Sequence, residues 1–196
     1  MARTSGIDLR REILDTTRRL LIQDGYQNLS MRKIANAIGY SATSIYLYFE
    51  NKDNLVHALI DEGMEKMQQL LLGIEDLFTS PLAALRELCE RYVAFGMENP
   101  EYYEVMFQLH PARMARYPVE KYRKARKNLE VFKEVIEVGQ RMSVFGMGDP
   151  LLKATAIWTT LHGLVSLLIA QRVDQQIDAE DLKEHVFAQV VAFVRG

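Results

Sequence analysis

The chain has 196 residues, 48% of them hydrophobic and 26% charged, which is enough apolar content for one large folded domain or two small ones. Its 24 Lys and Arg nearly balance 26 Asp and Glu, and its single cysteine, Cys89, excludes an internal disulfide framework and a cysteine-rich metal site. The opening MARTSGIDLRR lacks the apolar core of a secretion signal, and runs such as LVSLLIA are too short to cross a bilayer, so a soluble cytoplasmic protein with no membrane partner is expected.

Helical periodicity dominates, and alternating runs rich in β-branched residues are missing, so the fold is expected to be all-α. A first helix is predicted over residues 8–24, with Ile13, Leu14, Leu20 and Leu21 on its apolar side and Gly25 as its stop. Ser30 opens a short helix to residue 37, Gly39 breaks it, and Ser41 opens another that runs to residue 49. Asn51 caps a long fourth helix. Ser80-Pro81 and Asn99-Pro100 mark further starts, and Pro111 and Pro118 punctuate an irregular region. Helices over 119–145, 151–172 and 179–194 follow, the first two separated by GMGDP. There is no internal repeat and no low-complexity segment.

The charge is unevenly spread. Residues 1–49 hold seven basic and four acidic side chains, a net of +3, which leaves −5 for the remainder. The same region contains two short helices joined by Ile38-Gly39-Tyr40, the size and spacing of a helix-turn-helix. Ile34, Ala35 and Ile38 can face a core, and in the second helix Ala42, Ile45 and Phe49 share an inward stripe. Thr43, Ser44, Leu47 and Tyr48 then face outward, with Tyr46 at the flank. Short hydroxyls and a phenol on an exposed helix can reach base edges or phosphates in a major groove. Ser41 as a plain cap and tyrosines as plain packing is the alternative.

The run LSMRKIANAIGYSATSIYLYFENKDNLVHALI resembles the DNA-binding domain of the TetR family of bacterial transcriptional repressors. The resemblance rests on an ordered set: Gly25-Tyr26, Ile34-Ala35, Ile38-Gly39, Ser41, Ile45-Tyr46, Phe49, Lys52 and Leu55. It implies an N-terminal three-helix DNA-binding domain over 1–53 and a larger helical effector-binding and dimerisation domain over 54–196. It also implies that Ala42, Thr43, Ser44 and Tyr48 lie nearest the bases, that Ser41 belongs to the same DNA-binding set, that Arg32 reaches a base from the preceding helix, and that Tyr46 and Lys52 hold phosphates. The start of the fourth helix suits Lys52 to that role, because amide dipoles and an ammonium converge there. Ala42 and Thr43 are small, so thymine methyls or DNA shape are expected to carry part of the specificity. Arg3 is expected in a solvated tail.

In the C-terminal part, Trp158 and His162-Gly163 resemble a Trp-x-x-x-His-Gly signature of one subgroup of that family. Trp158 and His162 are four residues apart and share a helix face. With Met64, Met67, Tyr92, Phe95, Tyr103, Met106, Phe107 and Phe132 they form a methionine- and aromatic-rich set suited either to core packing or to a cavity for an apolar or amphipathic effector. Leu182, Val186, Val190 and Val194 make a stripe at intervals of four that Phe187 widens, and with Leu164 and Leu168 they are expected to form a homodimer interface. A twofold dimer calls for a near-palindromic operator. The basic run over 113–127 is read as a solvated helix face. Neither a cofactor nor a metal is expected. The histidines at 57, 110, 162 and 185 lack ligand spacing and no nucleophile motif appears, so an enzyme is disfavoured. A helical adaptor for protein partners, without operator-specific DNA binding, is the remaining rival.

Overall fold

The computed structural model describes residues 6–108 and 122–196; among them the fold is carried by nine α-helices and one short 3-10 turn, with no strand. Arg3, His110, Pro111, Pro118 and the first part of the basic run lie outside the described residues. The chain divides into two units. The first holds α1 (Gly6–Asn28), α2 (Met31–Ile38), α3 (Ala42–Tyr46), α4 (Lys52–Leu70) as far as Met64, and residues 101–108 with most of α6 (Pro100–Phe107). The second holds the end of α4, the 3-10 turn Ile74–Leu77, α5 (Pro81–Glu98), α7 (Tyr122–Arg141), α8 (Pro150–Ile169) and α9 (Ala179–Arg195).

The expected division at 53/54 differs from this one for a physical reason. Leu55, Val56, Leu59 and Ile60 are buried, and they belong to the first unit together with Ile13, Leu14, Leu21, Ile34 and Ile45. The first half of α4 is therefore part of the head rather than a linker. Residues 101–108 also belong to the first unit although Pro100 just before them belongs to the second. Helix α1 stops where glycine was expected to stop it: Gly25 adopts φ 74°, ψ 162°, and only a last turn follows.

In the second unit, the end of α4 is held from α5. The Arg91 guanidinium donates to the carbonyls of Leu70 and Leu72 at 3.0 and 2.7 Å while its Nε reaches Glu87 at 2.7 Å, so it acts as a cap supplied from another helix. Tyr92 and Phe132 meet edge to face with centroids 6.0 Å apart. Helix α7 ends four residues earlier than expected, because the chain turns at Ser143 (φ 56°) and Phe145 folds back over Gly139. A Cβ on Gly139 would run into the Phe145 ring. Gly139→Ala gains about 1 kcal/mol of helix propensity but must displace a buried ring at about 1–3 kcal/mol. A net loss of about 1 kcal/mol in urea unfolding is expected; a gain would mean that the ring has room to move.

Helix α8 corrects one expectation. At 20 residues it is long and apolar enough to cross a membrane by length and composition, which the shorter runs in the sequence did not suggest. One of its sides is buried in the second unit through Ala154, Ile157, Leu161, Leu164 and Val165. The Cys89 thiol on α5 is buried as well, which pushes its pKa up to about 12.

Candidate nucleic-acid interface

The two short helices are built as their residues dictate. Ser30 caps α2 by accepting the Lys33 N–H at 3.2 Å. The helix ends at Gly39 in the left-handed region (φ 73°, ψ 25°), with Gly39 N–H on Asn36 O at 3.3 Å and Tyr40 N–H on Ala35 O at 3.0 Å. A side chain at that φ would be strained, so glycine sets the sharp turn. Ser41 caps α3 in turn. Helix α3 closes at Tyr46, three residues earlier than expected, and Phe49 is buried through a turn in which Tyr48 and Phe49 both donate to Ile45 O, at 3.0 and 3.1 Å.

Ile34, Ala35, Ile45 and Phe49 are buried, as the inward stripe requires, and Ala42 is half-buried. On the other side Ser41, Thr43, Tyr46 and Leu47 are exposed, the last two by 54% and 80%, and Ser44 and Tyr48 are half-buried. Ser41 makes the cap that its position allowed, and it engages Ser44 as well. Ser41 Oγ accepts the Ser44 N–H at 3.2 Å and shares a hydrogen with Ser44 Oγ at 2.9 Å. Both hydroxyls are committed to the cap, which leaves them less capacity for a base.

Two cations flank this surface in different states. Arg32 is exposed and makes no ion pair with any described residue. Lys52, the first residue of α4, is half-buried: its ammonium donates to Tyr26 O and Leu29 O at 3.3 and 3.4 Å and lies 4.1 Å from the centre of the Tyr26 ring. The Tyr26 hydroxyl donates to Asp53, and burial followed by that carboxylate raises its pKa. Asn51 completes the helix start by accepting the Asn54 N–H at 2.9 Å. Lys52 thus ties α4 to the turn after α1, and its remaining N–H is what it can offer a phosphate.

Comparison with known proteins decides what this arrangement is. The family model described as "Bacterial regulatory proteins, tetR family" matches residues 13–59, and "Tetracyclin repressor-like, C-terminal domain" matches residues 85–192, more than half of the chain. The chain belongs to the TetR family.

The TetR-family relatives include HTH-type transcriptional repressor Rv1474c of Mycobacterium tuberculosis, 36% identical over 78 residues that cover 37% of this chain and 42% of the relative. An uncharacterized HTH-type transcriptional regulator of Haemophilus influenzae is 43% identical over 98 residues, covering 50% of this chain and 52% of the relative. The chain thus spans about half the length of these curated relatives. A solved protein of unknown function from Rhodococcus sp. RHA1 superposes with a TM-score of 0.80 at 20% identity, over 96% of each chain. That likeness is one of fold.

The head of this TetR-family chain carries a polar cluster that the sequence did not announce. Tyr102 of α6 donates its hydroxyl to Glu62 of α4 at 2.5 Å and accepts from Arg18 and Arg11 of α1 at 2.5 and 3.3 Å. Arg11 also pairs with Asp15 and Glu62, and Arg18 with Glu101 at 2.9 Å. The phenol uses its one donor and both acceptor positions. Burial and the Glu62 carboxylate raise its pKa. The partners are 40 to 91 residues apart, so no local spacing could expose them. Tyr102→Phe should cost about 1–2 kcal/mol of stability, since it strips hydrogen bonds from charged groups and leaves the packing. Chemical denaturation would check this, and an unchanged midpoint would count against the cluster. Arg10 was also missed; its guanidinium lies 5.4 Å from the centre of the Phe49 ring.

The expected effector residues fall into both units: Met64, Tyr103, Met106 and Phe107 in the first, and Met67, Tyr92, Phe95, Phe132, Trp158 and His162 in the second. Most of them pack. Met64, Met67, Tyr92, Phe95, Tyr103 and Phe132 are buried, and Met106 lies directly over Gly63. Trp158 and His162 are half-buried with ring centres 5.7 Å apart, and burial lowers the His162 pKa. An open groove of the second unit lies elsewhere, between α5 and α9, beside the Arg86–Glu184 pair and Phe187.

Most of the expected interface stripe is occupied within this chain. Val186, Phe187, Val190 and Val194 of α9 and Leu164 of α8 are buried within this chain, and Leu168 and Leu182 are half-buried. Their periodicity marks the side that faces the chain's own core. The apolar residues left exposed are others: Leu152 (68%) and Leu167 (50%) on α8, and Phe193 (47%) on α9.

Proposed function

We propose that the protein is a cytoplasmic, ligand-responsive repressor that binds a near-palindromic DNA operator as a homodimer and releases it when a small apolar or amphipathic effector binds. The observation that carries this reading is the α2–α3 unit, capped and buried on one side, with Thr43, Tyr46 and Leu47 exposed on the other and, on the preceding helix, an exposed Arg32 that makes no ion pair with any described residue. Arg32 is assigned to a base edge, since a guanidinium fork matches guanine. Tyr46 and Lys52 are assigned to phosphates and Ala42, Thr43 and Tyr48 to the groove, with Ser41 and Ser44 chiefly as caps.

The dimer face proposed is the exposed side of α8, along which Leu152, Ala156, Thr159, Gly163 and Leu167 recur at intervals of three and four, together with exposed residues of α9. A Cβ at Gly163 would meet nothing within 4 Å, so this side is flat enough for a second helix to approach. For the effector, Trp158 and His162 remain the assigned contacts. Trp158 is the chain's one tryptophan and so reports binding by its own fluorescence.

The testing experiment is selection of bound duplexes from a genomic DNA pool at near-physiological salt, followed by a salt titration on the best sequence. Recovery of a palindrome whose affinity falls steeply with salt supports the reading. Failure to enrich any duplex overturns it. Titrating the same complex with fatty acids and acyl thioesters while following Trp158 emission then tests release.

A further inference from the structure

Leu47 is 80% exposed, among the most exposed large apolar side chains of the described residues, and it immediately follows α3. No folding role accounts for it: the inward positions of this segment are filled by Ile45 and Phe49, and the turn after α3 is closed by backbone bonds to Ile45 O. Thr43 lies four residues earlier and is exposed too, so its γ-methyl and the Leu47 isobutyl group share one side of the helical turn. Two of the polar groups on this surface are partly engaged elsewhere, since Ser41 and Ser44 bond each other in the cap. What remains beside the exposed Tyr46 is an apolar tip formed by Leu47 and the Thr43 methyl.

Duplex DNA offers one apolar group at the base edges of its major groove, the 5-methyl of thymine. We propose that Leu47, with the γ-methyl of Thr43, reads thymine 5-methyl groups, and so sets one operator position in each half-site by apolar contact, beside the position assigned to Arg32. This rests on the repressor reading above. The required partner is a thymine at a fixed place in each half-site, and cytosine there is rejected because it lacks the methyl and presents an amino group instead.

The test uses the full-length protein and its selected operator. Each thymine is replaced singly by deoxyuridine, which removes only the methyl group, in both half-sites together. At one or two positions the wild type should bind roughly three- to fivefold more weakly per half-site, the scale of one buried methyl. Leu47→Ala should bind the thymine operator about as weakly as wild type binds the uracil one, and should lose its sensitivity at that position. Thr43→Ser, which keeps the hydroxyl, should blunt the same position or its neighbour. Thermal unfolding of Leu47→Ala should match the wild type, given the exposure of the side chain. The proposal is overturned if uracil weakens both proteins equally, if Leu47→Ala loses the same affinity on both operators, or if no methyl matters. If the wild type enriches no duplex at all, the repressor reading itself fails, a result distinct from any of these.

Discussion

Replacing Lys52 by alanine is expected to damage the head in two separable ways. The ammonium holds two carbonyls at the end of α1 and lies 4.1 Å from the centre of the Tyr26 ring, so its loss removes contacts worth about 1–2 kcal/mol together. Thermal unfolding of the free protein should shift down accordingly. If Lys52 also binds phosphate, affinity should fall about tenfold on every duplex regardless of sequence, and the slope of log affinity against log salt should flatten by about one per head. Lys52→Arg keeps the charge and should preserve the salt slope even where its larger fork disturbs the carbonyl contacts. A loss of affinity that tracks stability alone, with an unchanged salt slope, would reduce Lys52 to a brace. Arg32→Ala should behave differently, relaxing preference at one base position while leaving stability intact, because Arg32 makes no ion pair with any described residue.

How much of this was legible follows from the range over which each signal acts. The caps at Ser30, Ser41 and Asn51 and the glycine stops at Gly25 and Gly39 depend on side chains within four residues, and the sequence displays them directly. Ser44 has a second use in the same range, because a hydroxyl that can reach a base can also reach its neighbour, and the nearer partner is met within the folded chain. The Tyr102 cluster joins three helices across long separations, and only the tertiary fold brings Arg11, Arg18 and Glu62 to one phenol. The early end of α7 has a similar origin: Phe145 continues the helical apolar pattern but spends its ring on Gly139. The division between units falls later than 53/54 because burial of Leu55 and Leu59 assigns the start of α4 to the head; Gly63, beside the point where the packing partners change, does not interrupt the helix.

The second large effect expected concerns the dimer, and it turns on two surfaces that look alike in the sequence. A stripe at intervals of three and four shows that one side of a helix is apolar, yet the chain's own core and a partner chain both select for that pattern. Burial separates them here. Val190 is 4% exposed and Val194 fully buried, so a charge at either site leaves an unsolvated ion in the second unit and should unfold it. Leu152 and Leu167 are exposed by 68% and 50%, so Leu152→Glu with Leu167→Glu should leave the monomer's unfolding intact. In a dimer formed through α8 those carboxylates face each other across the twofold axis, and the complex should dissociate at micromolar concentration by analytical ultracentrifugation. Operator affinity should then fall by on the order of a hundredfold or more, because one head grips one half-site without the effective concentration that linkage to the second supplies. A double variant that remains dimeric and binds the operator normally would remove α8 from the interface.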